Sequence, residues 1–230
     1  MDRRALLRSL VLFQGLSDRE LDMLLALTTT KKLKKRSVLF RKGDPGNALF
    51  ALMEGRLKAT GEGRDGKEVV FSFMDPGDVI GEIALLDQEP RSATVQAVEE
   101  ATLLTLHRRD LLPFLDRNPR VAVKLAGVLA TRIRRLSELM EDTVFLGLPS
   151  RLAKKLLSLS RRYGKATSEG LRIDLKLPQH ELGELVGTSR ESINKQLRQW
   201  SEEGVVQFAG GYVTIQDEAR LEELAKLLPS

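Results

Sequence analysis

Short apolar runs alternate with polar punctuation from about Ser37 to His107. The punctuation is Lys42-Gly43-Asp44-Pro45-Gly46-Asn47, then Glu62-Gly63-Arg64-Asp65-Gly66-Lys67, then Asp75-Pro76-Gly77-Asp78. Between and beyond these clusters lie Val38-Leu39-Phe40, the segment from Ala48 to Met53, the segment from Val69 to Met74 and the segment from Ala101 to Leu106, all rich in residues that suit a pleated, buried surface. Turn signals at such regular spacing predict an all-β roll or sandwich. The basic run from Lys31 to Arg36, just ahead of the first apolar run, reads as a solvated edge of this region rather than a nucleic-acid patch.

After Pro119 the pattern changes. Arg120 to Val144 lacks Gly-Pro turns and β alternation and carries helix formers at helical spacing, which predicts one helix of about seven turns. Ala126, Leu129, Ile133, Leu136 and Met140 recur at alternating intervals of three and four residues, the spacing of a coiled-coil seam. Arg132, Arg134, Arg135, Glu138 and Glu141 keep the remaining surface charged, so the simplest partner for the seam is a second copy of the same helix. Gly147 and Pro149 then interrupt the pattern at a candidate hinge, and a new amphipathic helix is expected from about Arg151.

Further on, Pro178 to Val186 predicts a short helix with proline in its first turn, where a missing N–H does no harm. Gly187 turns the chain. In Thr188-Ser189-Arg190-Glu191 a hydroxyl residue precedes Glu by three positions, the spacing of a capping box, so a second helix is expected to start there and run to about Glu202. Ile193, Leu197 and Trp200 fall on its core face, whereas Ser189, Arg190, Glu191, Asn194, Lys195 and Arg198 face outward. Those polar types can read base edges: Arg donates two hydrogen bonds to guanine, and Glu accepts from the cytosine amino group. Two β runs around Gly210-Gly211 follow and predict a hairpin wing. Helix, glycine turn, second helix and wing together point to double-stranded DNA.

Composition narrows the classes. The 230 residues carry a formal charge of +5, which permits a polyanionic partner without naming one. Lys154, Lys155, Arg161, Arg162 and Lys165 lean the basic excess toward the C-terminal part. With no cysteine, thiolate catalysis, disulfides and thiolate-held metal clusters are excluded, and His107 and His180 are the only imidazoles, so no metal is expected. Arg8 breaks the apolar run near the N-terminus, which reads as an amphipathic surface helix rather than a signal segment. No membrane span is expected either, and the expected location is the cytoplasm.

The segment from Gly81 to Leu86, followed by Arg91-Ser92-Ala93-Thr94, is the most specific in the chain. Gly81 allows close approach of backbone to a ligand, and a short helix after it points free N–H groups at an anion. Arg91 can grip a phosphate bidentately, with Ser92 adding a hydroxyl. Glu82 would repel a phosphate and must face a donor, for which a ribose hydroxyl is the natural choice.

These residues resemble the phosphate-binding cassette of the cyclic-AMP receptor branch of the CRP/FNR family, and the chain resembles that family from about Leu10 to Leu221. The resemblance implies an α+β fold: an N-terminal cyclic-nucleotide-binding β-roll (a double-stranded β-helix or jelly roll, residues 1–118), a dimerisation helix and hinge (119–146) and a C-terminal winged helix-turn-helix (147–230). It implies that Glu82 meets the ribose hydroxyl, that Arg91 and Ser92 hold the cyclic phosphate, and that Gly81, Ile83 and Ala84 complete the pocket. Arg132 sits where the family places a long-helix arginine near that glutamate, and Arg190 and Glu191 inherit the base-reading role.

The chain also departs from the family pattern. Leu136 and Ser137 occupy the places of two successive polar residues that contact adenine across the dimer, and only Ser137 can keep a hydrogen bond. Lys195 replaces an arginine usual for base contact, and Gln179 stands where a basic phosphate contact is common. The expected protein is a homodimeric, non-enzymatic regulator that takes cyclic AMP as allosteric ligand, binds an inverted-repeat DNA site and works with RNA polymerase. Two other readings stand beside it: a regulator of the same fold answering to another effector or to none, and a nucleotide-sensing regulatory subunit of an enzyme.

Overall fold

The computed structural model describes residues 3–63 and 68–226. Arg64, Asp65, Gly66 and Lys67, the middle of the second predicted turn, lie outside the described residues. By internal contacts the described chain forms two compact units, one built from residues up to Gly61 together with Val70–Arg134, the other from Glu62–Val69 together with the chain from Arg135 onward.

In the first unit, β1 (Thr28–Leu33), β8 (Ala101–His107), β3 (Ala48–Glu54) and β6 (Val79–Ile80) form one sheet in that order. A second sheet runs β2 (Val38–Phe40), β7 (Thr94–Ala97), β4 (Leu57–Glu62), β5 (Glu68–Met74). The unbroken apolar run in β3 has a plain cause, since the strand is covered on both faces. Leu49, Ala51 and Met53 join Leu104 and Leu106 of β8 in a cluster with Leu6, Leu7, Phe13 and Leu21 of the N-terminal helices. The alternate residues Ala48, Phe50 and Leu52 meet Leu57, Val95 and Leu103 in a second cluster. Each fully buried leucine contributes about 1.5–3 kcal/mol, so this double coverage anchors the roll.

The N-terminal segment forms α1 (Arg3–Ser9), which buries Leu6 and Leu7 and keeps Arg8 outside, as its amphipathic pattern predicts. The capped helix α2 (Asp18–Ala26) follows, with Ser17 and Glu20 closing a capping box. The basic run is not wholly ahead of the first strand: Lys31 and Lys32 lie in β1, an exposed edge strand that buries only Thr28 and Leu33. Edge lysines are a common guard against unwanted strand pairing.

The short helix α3 (Glu82–Asp87) begins directly after β6, and α4 (Arg108–Arg117) leads into α5 (Pro119–Phe145). The 27 residues of α5 match the predicted long helix to within one residue at each end. Its start is packed into the first unit through Val121 and Leu125.

The second unit contains α6 (Leu148–Tyr163), β9 (Gly164–Thr167), β10 (Gly170–Ile173), α7 (Gln179–Val186), α8 (Arg190–Glu202), β11 (Val206–Ala209), β12 (Tyr212–Ile215) and α9 (Glu218–Lys226). Helix α6 starts three residues earlier than expected, because Pro149 is accommodated in its first turn. The strands form a sheet in the order β11-β12-β10-β9. Ile193, Leu197 and Trp200 of α8 are buried, as their spacing predicts.

Candidate functional site

The short link between β6 and α3 is built around Gly81, whose φ of +84° is a left-handed conformation that L side chains rarely adopt. A Cβ there would stand 2.3 Å from Nη1 of Arg91 and 3.2 Å from the carbonyl oxygen of Ala48, so only glycine admits the arginine. Arg91 itself is buried, with 5% of its surface exposed. Its Nη1 donates to the Gly81 carbonyl at 2.8 Å and its Nη2 to the Ala48 carbonyl at 2.7 Å. The guanidinium carbon lies 4.3 Å from the centre of the Phe40 ring and 5.7 Å from that of Phe50. A desolvated cation on an aromatic face gains about 2 kcal/mol, which offsets part of the cost of burial. Burial pushes the Arg91 guanidinium below its ordinary pKa, while the charges of Glu82 and Asp44 pull it back. Arginine starts so high that it stays protonated.

Glu82 opens α3 with no exposed surface. Its Oε1 is paired with Nη1 of Arg132 on α5, and Nη2 of Arg132 donates to the Val79 carbonyl. Two of the buried side-chain atoms without a protein partner lie at this site: Oε2 of Glu82, an acceptor, and Nε of Arg91, a donor. An unanswered buried polar atom costs about 1–3 kcal/mol, and more when charged. The pair therefore asks for a ligand that carries both a hydroxyl and an oxyanion. A guanidinium has five donor hydrogens and two are used here, which leaves the Nε edge free to hold such an oxyanion side-on.

The other predicted pocket residues lie close by in sequence. Ala84 is buried against the chain at Gly46, where an added Cβ would fall 2.2 Å from that of Ala84, whereas Ile83 and Ser92 are partly or largely exposed. Arg132 is brought to Glu82, as the resemblance implies. Leu136 and Ser137 belong to the second unit, and both are exposed. Along the predicted seam Leu129 is half-buried and Ala126 exposed, and Ile133, Leu136 and Met140 are 63%, 52% and 69% exposed.

On α8 the expected cap shifts by one residue. Thr188 and Glu191 do not form a capping box; Ser189 is the N-cap, with extended backbone and its Oγ accepting from the Ser192 amide at 3.2 Å. Two adjacent hydroxyls compete for this place, and the side chain one residue before the first helical turn wins it. Ser189, Arg190, Glu191 and Asn194 line a surface depression, and Lys195 is exposed beside them. Arg198 is exposed but paired with Glu202 one turn on. Gln179, half-buried at the start of α7, lines a second depression together with Arg190, Lys176 and His180. The wing turn is confirmed, with Gly210 and Gly211 both at positive φ.

Several contributors had no local signal. Phe40 and the Ala48 carbonyl reach Arg91 across 51 and 43 residues of chain, and only the closed roll joins them. Lys176 and His180 gain their place because the amide of Leu177 donates to the carbonyl of Gly211 at 2.7 Å, tying the loop before α7 to the wing. No cluster of potential metal ligands occurs among the described residues, and no described helix is long and apolar enough to cross a membrane.

Residues 30–118 match the cyclic nucleotide-binding domain family, and residues 150–224 match the Crp-like helix-turn-helix domain family. A CRP-like cAMP-activated global transcriptional regulator of Mycobacterium tuberculosis is 31% identical over 215 residues, 94% of this chain and 96% of the relative. A cyclic AMP receptor protein of Thermus thermophilus is 36% identical over 214 residues, 93% of this chain and 96% of that one. Among solved structures, the c-di-GMP responsive global regulator CLP of Xanthomonas campestris superposes with a TM-score of 0.78 at 22% identity, covering 86% of this chain and 99% of the other, a likeness of fold.

Proposed function

Because this chain belongs to the CRP/FNR family of transcription regulators, we propose that it acts as a homodimer that binds an inverted-repeat DNA site under the control of cyclic AMP. The observation that carries the ligand half is the complementary pair of unanswered buried atoms, Glu82 Oε2 and Arg91 Nε. A cyclic nucleotide supplies a ribose hydroxyl for the first and a phosphate oxygen for the second. In this reading Arg91 holds the phosphate with Ser92, Glu82 accepts from the ribose, and Gly81, Ile83 and Ala84 shape the floor. Arg132 orients Glu82 from α5, so occupancy of the pocket is felt by the helix that carries the Ala126, Leu129, Ile133, Leu136 and Met140 seam. The exposed apolar residues of that seam support pairing with a second copy.

A ligand shifts such a protein only by binding two arrangements unequally. Ser137 is the candidate link from ligand to helix pairing. Arg190, Glu191 and Lys195 read bases, with Ser189, Asn194, Arg198 and Gln179 around them, in half-sites about 34 Å apart. RNA polymerase is the expected partner of the bound dimer, and the chain itself carries out no catalysis.

Calorimetric titration with cyclic AMP and cyclic GMP, followed by gel retardation of an inverted repeat with and without nucleotide, tests the proposal. Cyclic AMP is expected to bind and to strengthen retardation. Absence of binding by either nucleotide at millimolar concentration would refute the ligand half. A second reading has its own observation: Leu136, apolar and exposed, offers adenine no hydrogen bond. The Xanthomonas protein, described as c-di-GMP responsive, shares the fold, which leaves room for a different cyclic nucleotide.

A further inference from the structure

Phe71, in the middle of β5, is the one large apolar side chain that stands exposed on a described strand, with 43% of its surface open. Val70 and Phe73 on either side are buried, so the strand contributes to the core without it. The far edge of the ring rests over β4: a Cβ on Gly61 would stand 2.4 Å from Cζ and 2.9 Å from Cε2 of Phe71. The backbone itself does not call for glycine here, since φ of Gly61 lies outside the left-handed region. Glycine weakens a strand interior, and the close approach of the ring is what requires it at this place.

Alternation puts Gly61 on the face of β4 that carries Leu57 and Ala59, and these two pack in the inner cluster of the roll with Val95 and Ala97 of β7. The sheet order places β4 between the ring and β7. Ala59 pairs with Val95 and Thr60 with Thr94, so the antiparallel register carries Gly61 one step further, toward the Ser92 and Arg91 end of β7. At about 4.8 Å per strand, β5 stands roughly 10 Å from the line of β7, within the span of one nucleotide. The residues on this path are small: Ala59 and Gly61 on β4, and Ala93 ahead of β7. A floor of small residues, with an exposed ring on one side and the unanswered Nε of Arg91 on the other, suits a ligand that has a flat apolar part joined to an anion.

We propose that Phe71 is the shelf on which the base of the bound nucleotide stacks, and that this chain recognises the base by its face rather than by its edge. The proposal rests on the cyclic-nucleotide reading given above and deepens it. A phenyl ring has no hydrogen-bonding group, and every base has a π-face, so stacking holds adenine and guanine alike. The contacts of Arg91 and Glu82 anchor the phosphate and ribose, while the ring adds affinity without choosing between the purines.

The test titrates the full-length chain and its Phe71→Ala and Phe71→Trp variants with three probes: cyclic AMP, cyclic GMP and a base-free ribose 3′,5′-cyclic phosphate. Phe71→Ala is expected to weaken both nucleotides about 5- to 100-fold, by the same factor for each, and to leave the base-free probe at the parental affinity. Phe71→Trp is expected to restore parental affinity for both nucleotides. Its added indole emission, measured against that of Trp200 in the parent, is expected to be quenched by the nucleotides and not by the base-free probe. Equal losses on all three probes would make the ring a support of the fold rather than a shelf. Unchanged affinity for the nucleotides, or a loss confined to one purine, would likewise overturn the proposal while leaving the nucleotide site standing. A parent that binds none of the three probes at millimolar concentration would bring down the nucleotide reading together with the shelf.

Discussion

Glu82 and Arg91 in the first unit and Arg190, Glu191 and Lys195 in the second are all charged, yet the fold treats the two groups in opposite ways. Glu82 and Arg91 are sealed from water, and the roll answers them with an ion pair, two backbone carbonyls and two aromatic rings. The charges of α8 stand in solvent, and only Arg198 is tied down by a neighbour. The fold matches most of this buried charge but leaves Glu82 Oε2 and Arg91 Nε for a ligand to answer, so the first unit couples recognition to folding. Exposed charge is cheap to hold, so the second unit can display its readers with little effect on stability.

The largest test of this contrast is Arg91→Leu. It leaves the Ala48 and Gly81 carbonyls without their donor, and a loss of about 2–4 kcal/mol in denaturant unfolding is expected together with loss of nucleotide binding. A variant that loses the nucleotide but keeps full stability would show that burial of the arginine does not support the fold. Arg190→Ala should behave in the opposite manner: stability within about 0.5 kcal/mol of the parent, and about 1–3 kcal/mol less discrimination between the selected repeat and its single-base variants. A fall in melting temperature with base preference unchanged would reverse the roles of the two units.

The smallest effect is expected at Asp174, where even the second unit matches a charge. The hydrogen bond from Lys165 holds this carboxyl below its ordinary value, and Arg172 adds to the effect. A depressed carboxylate contributes stability above its unfolded pKa and loses it as pH falls through the folded one. Asp174→Asn is therefore expected to be slightly less stable than the parent at neutral pH, with the gap closing below about pH 3.8, the ordinary aspartate value. Urea unfolding at pH 7 and at pH 2.5 measures this, and a gap that persists in acid would exclude the ion pairs as its source.

Much of the fold was legible wherever a pattern was local. The first and third turn clusters, the long helix, the wing glycines and the buried face of α8 all follow from spacing alone. The β9–β10 hairpin did not announce itself, because β9 is exposed along its whole length and has no alternation to read. Lys31 and Lys32 hid β1 for a related reason, since an edge strand of lysines resembles a loop. The helix cap moved by one residue because Thr188 and Ser189 are both competent and only the backbone decides between them. In the ligand site Gly81, Glu82 and Arg91 were visible as a motif, while Phe40 and the Ala48 carbonyl were not, being supplied by strands remote in sequence.

The last crossing of the chain from the first unit to the second falls between Arg134 and Arg135, inside α5 rather than in a loop. Peptide bonds within a continuous helix resist cleavage because a protease needs its substrate extended, and extension there means breaking several turns at once. Limited digestion is thus directed away from that crossing and toward Leu146 and Gly147, the first residues beyond the helix. The N-terminal fragment so released would keep all of α5 as a tail, including the apolar residues from Ile133 to Phe145, and would be the stickier of the two pieces.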